Sequence, residues 1–86
     1  MEYLDPGAIK QNLGWESVIE ALKQMFTEGC ETPLRHNHSM KVPGQSDSTM
    51  LIMPAWAPGK FSGIKVLNIY PDNADKGIPG IHGVFY

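Results

Sequence analysis

The stretch Gly63-Ile64-Lys65-Val66-Leu67-Asn68-Ile69-Tyr70 decides the fold, because its β-branched and aromatic residues stop at a break, Pro71-Asp72-Asn73. Such a run, closed by turn residues, is typical of a β-strand. Side chains alternate between the two faces of a strand, and here both faces are mainly apolar. Lys65 is therefore either a guard on an edge strand, with its amine in water, or a cation held in a pocket. The strand by itself leaves both interpretations open.

Two helices are predicted before the strands. Asp5-Pro6 supplies an N-cap acceptor and a proline at the first helical position, which predicts a short helix to about Leu13. A second helix is predicted from Trp15 until Gly29 ends it. We expect its apolar stripe to pack in the core. The stripe consists of Trp15, Val18, Ile19, Leu22, Met25 and Phe26.

Four strand candidates follow the helices. They are Pro33–Val42, Thr49–Ala57, the strand that contains Lys65, and Gly80–Tyr86, with a long loop from Pro71 to Pro79 before the last. Consecutive strands after two helices predict an α+β fold with a mostly antiparallel or mixed sheet of about four strands. Val84-Phe85-Tyr86 has the apolar character of a sheet interior, with no polar tail after it. We therefore expect an incomplete domain, truncated within a strand.

Composition narrows the class of protein. Eighty-six residues form one small domain, and a net charge of −2 gives no reason to expect nucleic acid or an anionic membrane as a partner. The one cysteine, Cys30, excludes an internal disulfide and fits a reducing compartment. No apolar run approaches the ~20 residues that span a bilayer. We expect a cytoplasmic protein.

Two motifs suggest a metal site and a dinucleotide site, but their spacing argues against both. His36 and His38 lie on one face of a strand, but no third ligand stands at a suitable spacing, so we expect no metal site. The glycine-rich segment 77–83 lacks the G-x-G-x-x-G spacing and precedes a strand, whereas the dinucleotide fingerprint opens a helix. The chain therefore offers no cofactor-binding residues of its own.

Arg35 is the other candidate functional residue. Its planar guanidinium fits a carboxylate with two parallel hydrogen bonds, and together with Lys65 it would cradle the carboxylate of a ligand. The alternative is a surface ion pair of Arg35 with Glu31 or Asp47. The residues alone leave these two interpretations about even.

Several short blocks, taken in order, point to a family. They are Tyr3-Leu4-Asp5, Pro33-Leu34-Arg35, Leu51-Ile52-Met53-Pro54-Ala55-Trp56, Gly63-Ile64-Lys65-Val66, Tyr70-Pro71-Asp72-Asn73, Gly77-Ile78-Pro79 and His82-Gly83. Their order and spacing resemble the N-terminal region of the ornithine cyclodeaminase/mu-crystallin family over essentially the whole chain. Each block alone is weak; the combination is fairly specific.

The resemblance implies that residues 1–86 form the N-terminal part of a substrate-binding and dimerisation domain. The Rossmann domain that holds NAD or NADP in full-length members is absent from these residues. Members act on amino or imino acids by hydride transfer at the α-carbon. Their reactions include conversion of ornithine to proline with loss of ammonia, alanine dehydrogenation and ketimine reduction. The fragment alone would be inactive.

The resemblance also implies roles for three residues. Arg35 matches the arginine that binds the substrate carboxylate, and Met53 matches the methionine that lines the pocket. Lys65 matches the lysine near the carboxylate and the reacting carbon, where it would orient the substrate or move a proton. Ornithine itself is in doubt, because the strand Thr49–Ala57 offers no carboxylate for its distal ammonium.

A second class of function stays open beside the enzyme. Some relatives resemble crystallins, so the chain is alternatively a non-catalytic module that binds a small molecule or forms a dimer. An unfinished sheet favours a homodimer through its edge.

Overall fold

The computed structural model describes residues 2–86 as two helices followed by a four-stranded antiparallel sheet. The elements are α1 (Pro6–Asn12), α2 (Trp15–Glu28), β1 (His36–Met40), β2 (Ser48–Ala57), β3 (Phe61–Ile69) and β4 (Ile81–Phe85), with a 3-10 helix at Pro71–Lys76 between β3 and β4. The strand order is β1-β2-β3-β4, so each strand pairs with the next one along the chain. The predicted α+β fold is confirmed, and the sheet is antiparallel throughout.

The helix boundaries follow from local chemistry, as predicted. The side chain of Asp5 accepts a hydrogen bond from the backbone N–H of Ala8 (2.8 Å), which satisfies one of the free donors at the start of α1. Helix α2 ends at Gly29, whose φ of 79° favours glycine and whose N–H donates to the Met25 carbonyl (2.7 Å).

Strand β3 lies inside the sheet, between β2 and β4. The interpretation of Lys65 as the guard of an edge strand is therefore wrong. The strand is half-buried over residues 65–69, whereas Ile64 is more exposed.

The expectation that the apolar stripe of α2 packs in the core is also wrong. Trp15 and Phe26 are 82% and 86% exposed. Helix α2 approaches the sheet at its C-terminal end, where the Nζ atom of Lys60 lies 3.0 Å from a carboxylate oxygen of Glu28. No other element in residues 2–86 is placed to cover the stripe.

No helix of residues 2–86 has the length and apolarity needed to cross a bilayer.

Little of the described chain is enclosed. Ala57 and Ser48 are its buried residues, and the radius of gyration is 16.3 Å. A compact domain of this length has a radius of gyration of about 12 Å. Residues 2–86 thus form one layer of sheet with helices beside it, and much of their apolar surface has no second layer against it.

The loop after β3 is tied to the loop before β2. Both oxygens of the Asp72 carboxylate accept from Ser46: one from the backbone N–H (2.6 Å) and one from the hydroxyl (2.9 Å). Asn73 donates from its side-chain amide to the Pro79 carbonyl (3.0 Å), and Gly77 takes a left-handed conformation (φ 71°). The Pro71-Asp72-Asn73 block therefore has a structural role, because it holds this end of the sheet together.

The Ser46 contact predicts a pH-dependent stability. Two hydrogen bonds from Ser46 lower the pKa of Asp72. The bond from the backbone N–H has the larger effect, and the bond from the hydroxyl has the smaller one. Because the lowered pKa belongs to the folded chain, the unfolded chain binds this proton more readily, and protonation favours unfolding. The Asp72 contribution is thus complete above about pH 4 and decreases as the pH falls through the lower folded value.

Asp72→Asn should lower the Tm at pH 6 and flatten its dependence on pH below about 4. Ser46→Ala removes the hydroxyl and keeps the N–H, so its effect should be smaller. Thermal unfolding of the three chains from pH 6 to pH 3 checks the order, and equal pH profiles for wild type and Asp72→Asn would contradict it.

A second prediction concerns Gly83 in β4. Gly83 pairs with Leu67 of β3, and the Leu67 side chain occupies the space that a Cβ atom would need. Gly83→Ala should destabilise the fold by about 1 kcal/mol, because the Leu67 side chain must move aside and the new methyl group would also lie 3.0 Å from the backbone oxygen of Val66. That corresponds to a Tm lower by about 4 °C or more. Leu67→Ala supplies the control, because it vacates that space: in the Leu67→Ala background Gly83→Ala should cost much less. An equal loss in both backgrounds would refute the steric explanation.

Candidate functional site

Strand register places two of the candidate residues side by side. Met53 of β2 is the direct partner of Lys65 of β3, and Lys65 is the direct partner of Phe85 of β4. Directly opposed residues of antiparallel strands project from the same face of the sheet. Met53, Lys65 and Phe85 therefore form a row across three strands.

The chain before β1 departs from β2 beside this row. His36 pairs with Ile52, and Glu31 forms an isolated bridge with Trp56, with hydrogen bonds of 2.8 and 3.0 Å. Between these two pairs, the four residues of segment 32–35 oppose the three residues of segment 53–55. The extra residue interrupts the pairing as a β-bulge does, and we call this unpaired stretch the bulge; such irregularities are frequent beside binding sites. The proline in segment 32–35, Pro33, has no N–H to give to the ladder.

The two unequal segments leave a cleft between them of about 390 Å³. It is lined by Thr32, Pro33, Leu34, Arg35, Met53, Pro54 and Ala55. We call this the bulge cleft. Arg35 and Met53 share it, and Lys65 is the neighbour of Met53 on the far side. Lys65 is thus one strand spacing, ~4.8 Å, beyond Met53, while Arg35 shares the cleft with Met53.

The electrostatics of the bulge cleft are cationic. The ion pairs of residues 2–86 are Lys23–Glu20 and Lys60–Glu28, so neither Arg35 nor Lys65 pairs with a described carboxylate. The predicted alternative for Arg35, a surface pair with Glu31 or Asp47, is therefore wrong. The lining residues include one charged group, the Arg35 guanidinium. An anion entering the cleft would meet no described negative group there.

Lys65 has an aromatic neighbour that sequence reasoning missed. It is half-buried, and its Nζ atom lies 5.3 Å from the centroid of the Phe85 ring. A cation within about 6 Å of a ring face is attracted to it electrostatically.

The sequence analysis did not predict the bulge either. Pro33 inside a predicted strand was a signal for a bulge, whereas the Lys65–Phe85 contact depends on strand register.

The histidine pair lies away from the row. His36 pairs with Ile52, one position from Met53, so the two histidines project from the opposite face. Both are exposed, with ring centroids 6.0 Å apart. Within the described residues, no three His, Cys, Asp or Glu side chains are grouped to hold a metal ion.

Comparison with known proteins shows distant relatives that are much longer. The chain is 35% identical over 83 residues to an uncharacterised protein of Schizosaccharomyces pombe, covering 93% of this chain and 25% of that protein. It is 32% identical over 84 residues to a Delta(1)-pyrroline-2-carboxylate reductase of Colwellia psychrerythraea, covering 94% of this chain and 26% of that protein. It is also 32% identical over 57 residues to the protein SAR DEFICIENT 4 of Arabidopsis thaliana, covering 63% of this chain and 16% of that protein.

These similarities support the resemblance at a coarse level. The chain spans about a quarter of the first and second of these relatives and less of the Arabidopsis protein. No protein-family model matches the chain. No solved structure matches it either. Membership of the ornithine cyclodeaminase/mu-crystallin family stays a prediction.

Proposed function

We propose that this chain is the carboxylate-binding part of an NAD(P)-dependent enzyme that acts on a cyclic imino acid or the matching amino acid. The observation that supports the proposal is that Arg35 and Met53 both line the bulge cleft, while Lys65 is the cross-strand partner of Met53. The similarity to a pyrroline-carboxylate reductase supports it, because that name denotes a cyclic imine that bears a carboxylate.

The two cations would divide the work. Arg35 would bind the carboxylate through both guanidinium arms, which sets the orientation of the ligand as well as its position. Lys65, with three donors on a flexible stem, would contact the same carboxylate from the other side of Met53 or move a proton at the imine nitrogen. Met53 would form the floor between them, where an unbranched thioether adapts to the ligand.

The cofactor would be held elsewhere. The glycine-rich segment 77–83 contains a left-handed turn at Gly77 and leads into β4, so it does not form the strand-to-helix phosphate cradle of a dinucleotide site. The described residues do not fit NAD or NADP. We therefore assign the binding of the dinucleotide, which would supply the hydride, to no residue of this chain.

The cleft lining also points to a class of substrate. A second ammonium on the ligand would need a carboxylate partner to be buried there. The lining contains none, and Leu34, Pro54 and Ala55 offer apolar surface. A carboxylate on a small neutral ring fits this lining better than a diamino acid such as ornithine does.

The proposal can be tested by measuring how the 86-residue chain binds pyrrole-2-carboxylate. This flat ring acid resembles the proposed substrate but is not reduced by hydride transfer. We expect Arg35→Met and Lys65→Met each to weaken binding about tenfold, because each removes a charge-assisted hydrogen bond worth ~1.5 kcal/mol or more. NMR titration with the ligand measures the dissociation constants.

Two controls accompany that titration. Lys41→Met removes an exposed cation just beyond the other end of β1, about 20 Å from Arg35, and should leave binding unchanged. Ornithine should bind more weakly than pyrrole-2-carboxylate. Equal losses in all three variants would show nonspecific charge attraction, and tighter binding of ornithine would exclude the neutral substrate class.

The exposed apolar surface favours a second candidate, an assembly module that forms a homodimer through the sheet edge. Strands β1 and β4 are the outer strands of the described sheet, and β4 exposes Ile81, Val84 and Phe85 without a lysine or proline to block pairing. Both proposals are compatible with a cytoplasmic protein, which stays an expectation.

Val84→Lys tests edge association. A lysine on an outer strand opposes pairing with another strand, so the variant should shift a self-associating chain toward monomer. Sedimentation velocity at several concentrations measures the shift, with Ile78→Lys in the exposed loop as the matched control. A wild-type chain that stays monomeric at high concentration would contradict the dimer.

A further inference from the structure

Lys65 has two direct cross-strand neighbours, and they differ in chemistry. Met53 lies on the side of the bulge cleft, and Phe85 lies on the opposite side, in β4. The Lys65 Nζ atom is 5.3 Å from the Phe85 ring centroid. With no described carboxylate paired to this ammonium, the ring is the neighbour that attracts it.

We propose that Phe85 is a positioning residue for Lys65, an inference that rests on the proposed function. A lysine stem of four carbons has many rotamers, and fixing one costs conformational entropy. The ring face attracts the ammonium from the β4 side. A face contact does not consume the N–H donors, so they stay available for a carboxylate bound over Met53, between Lys65 and Arg35.

The exposure of Phe85 separates this role from a role in stability. Its side chain is 78% exposed. It borders a groove of about 710 Å³ that lies between residues 2–13 and the C-terminal end of β4. A ring so exposed contributes little to the packing of the sheet. Phe85→Leu therefore keeps an apolar side chain and the fold while it removes the aromatic face.

The first readout needs no ligand. A lysine ammonium over a ring face has its neighbouring Hε protons shielded by the ring current. In the 86-residue chain with labelled lysine, the Lys65 Hε resonances should lie upfield of those of the other lysines. The shift should vanish in Phe85→Leu and persist in Phe85→Tyr. Ordinary Lys65 resonances in the wild-type chain would overturn the contact and the proposal with it.

The second readout is the affinity for pyrrole-2-carboxylate. Phe85→Leu should weaken binding about two- to fivefold, the effect of one exposed cation–π contact, and Phe85→Tyr should restore it. In the Lys65→Met background, Phe85→Leu should have no further effect, because the ring acts through the lysine.

The outcomes separate this inference from the function on which it rests. If the wild-type chain fails to bind the acid, both are overturned. If it binds, and Phe85→Leu binds equally well or more tightly, the positioning role alone is overturned. Equal weakening by Phe85→Leu with and without Lys65 also overturns it, since the ring would then touch the ligand or support the fold without acting through the lysine.

Discussion

The pairing of β2 with β3 is the constraint on which the rest of the structure depends. It runs from Thr49–Ile69 to Ala57–Phe61, the longest ladder in the described sheet. Side chains alternate along each strand, so a slip of one residue would move Lys65 to the other face, away from Met53. The tight turn between the two strands, in which the Lys60 N–H donates to the Ala57 carbonyl (3.0 Å), opposes such a slip, because the turn of a hairpin fixes its register. The site is in this sense a consequence of strand register.

The bulge cleft arises where that register is interrupted. β1 follows β2 closely from His36 to Met40, but segment 32–35 carries one residue more than the β2 segment it opposes. The extra residue lifts the chain from the ladder and leaves room between Arg35 and Met53. A regular ladder would have filled that room with paired backbone. The same irregularity that weakens sheet pairing therefore creates the space in which a ligand can meet Arg35.

The uncovered apolar surface limits how much stability the chain gains from burying apolar side chains. Helix α2 has the pattern of a helix that packs, yet Trp15 and Phe26 are exposed, and the described sheet has few buried side chains. The relatives it matches are about four times its length or longer. Apolar stripes without a second layer give little net stabilisation, since burial is what makes them favourable.

The sequence by itself determined the two helices, the four strands and their order, but not the start of β1 at His36 or the 3-10 helix at Pro71–Lys76. The Asp5-Pro6 start, the glycine after α2 and the break after Tyr70 are local signals, and local chemistry decided them without reference to the rest of the chain. The resemblance also supplied Arg35, Met53 and Lys65 as candidates. The surroundings of those residues could not be predicted: the interior position of β3, the bulge at segment 32–35, the exposed face of α2 and the ring of Phe85 beside Lys65. Each of these depends on which strands meet and in what register, and such contacts join residues distant in the sequence through packing that no local pattern encodes.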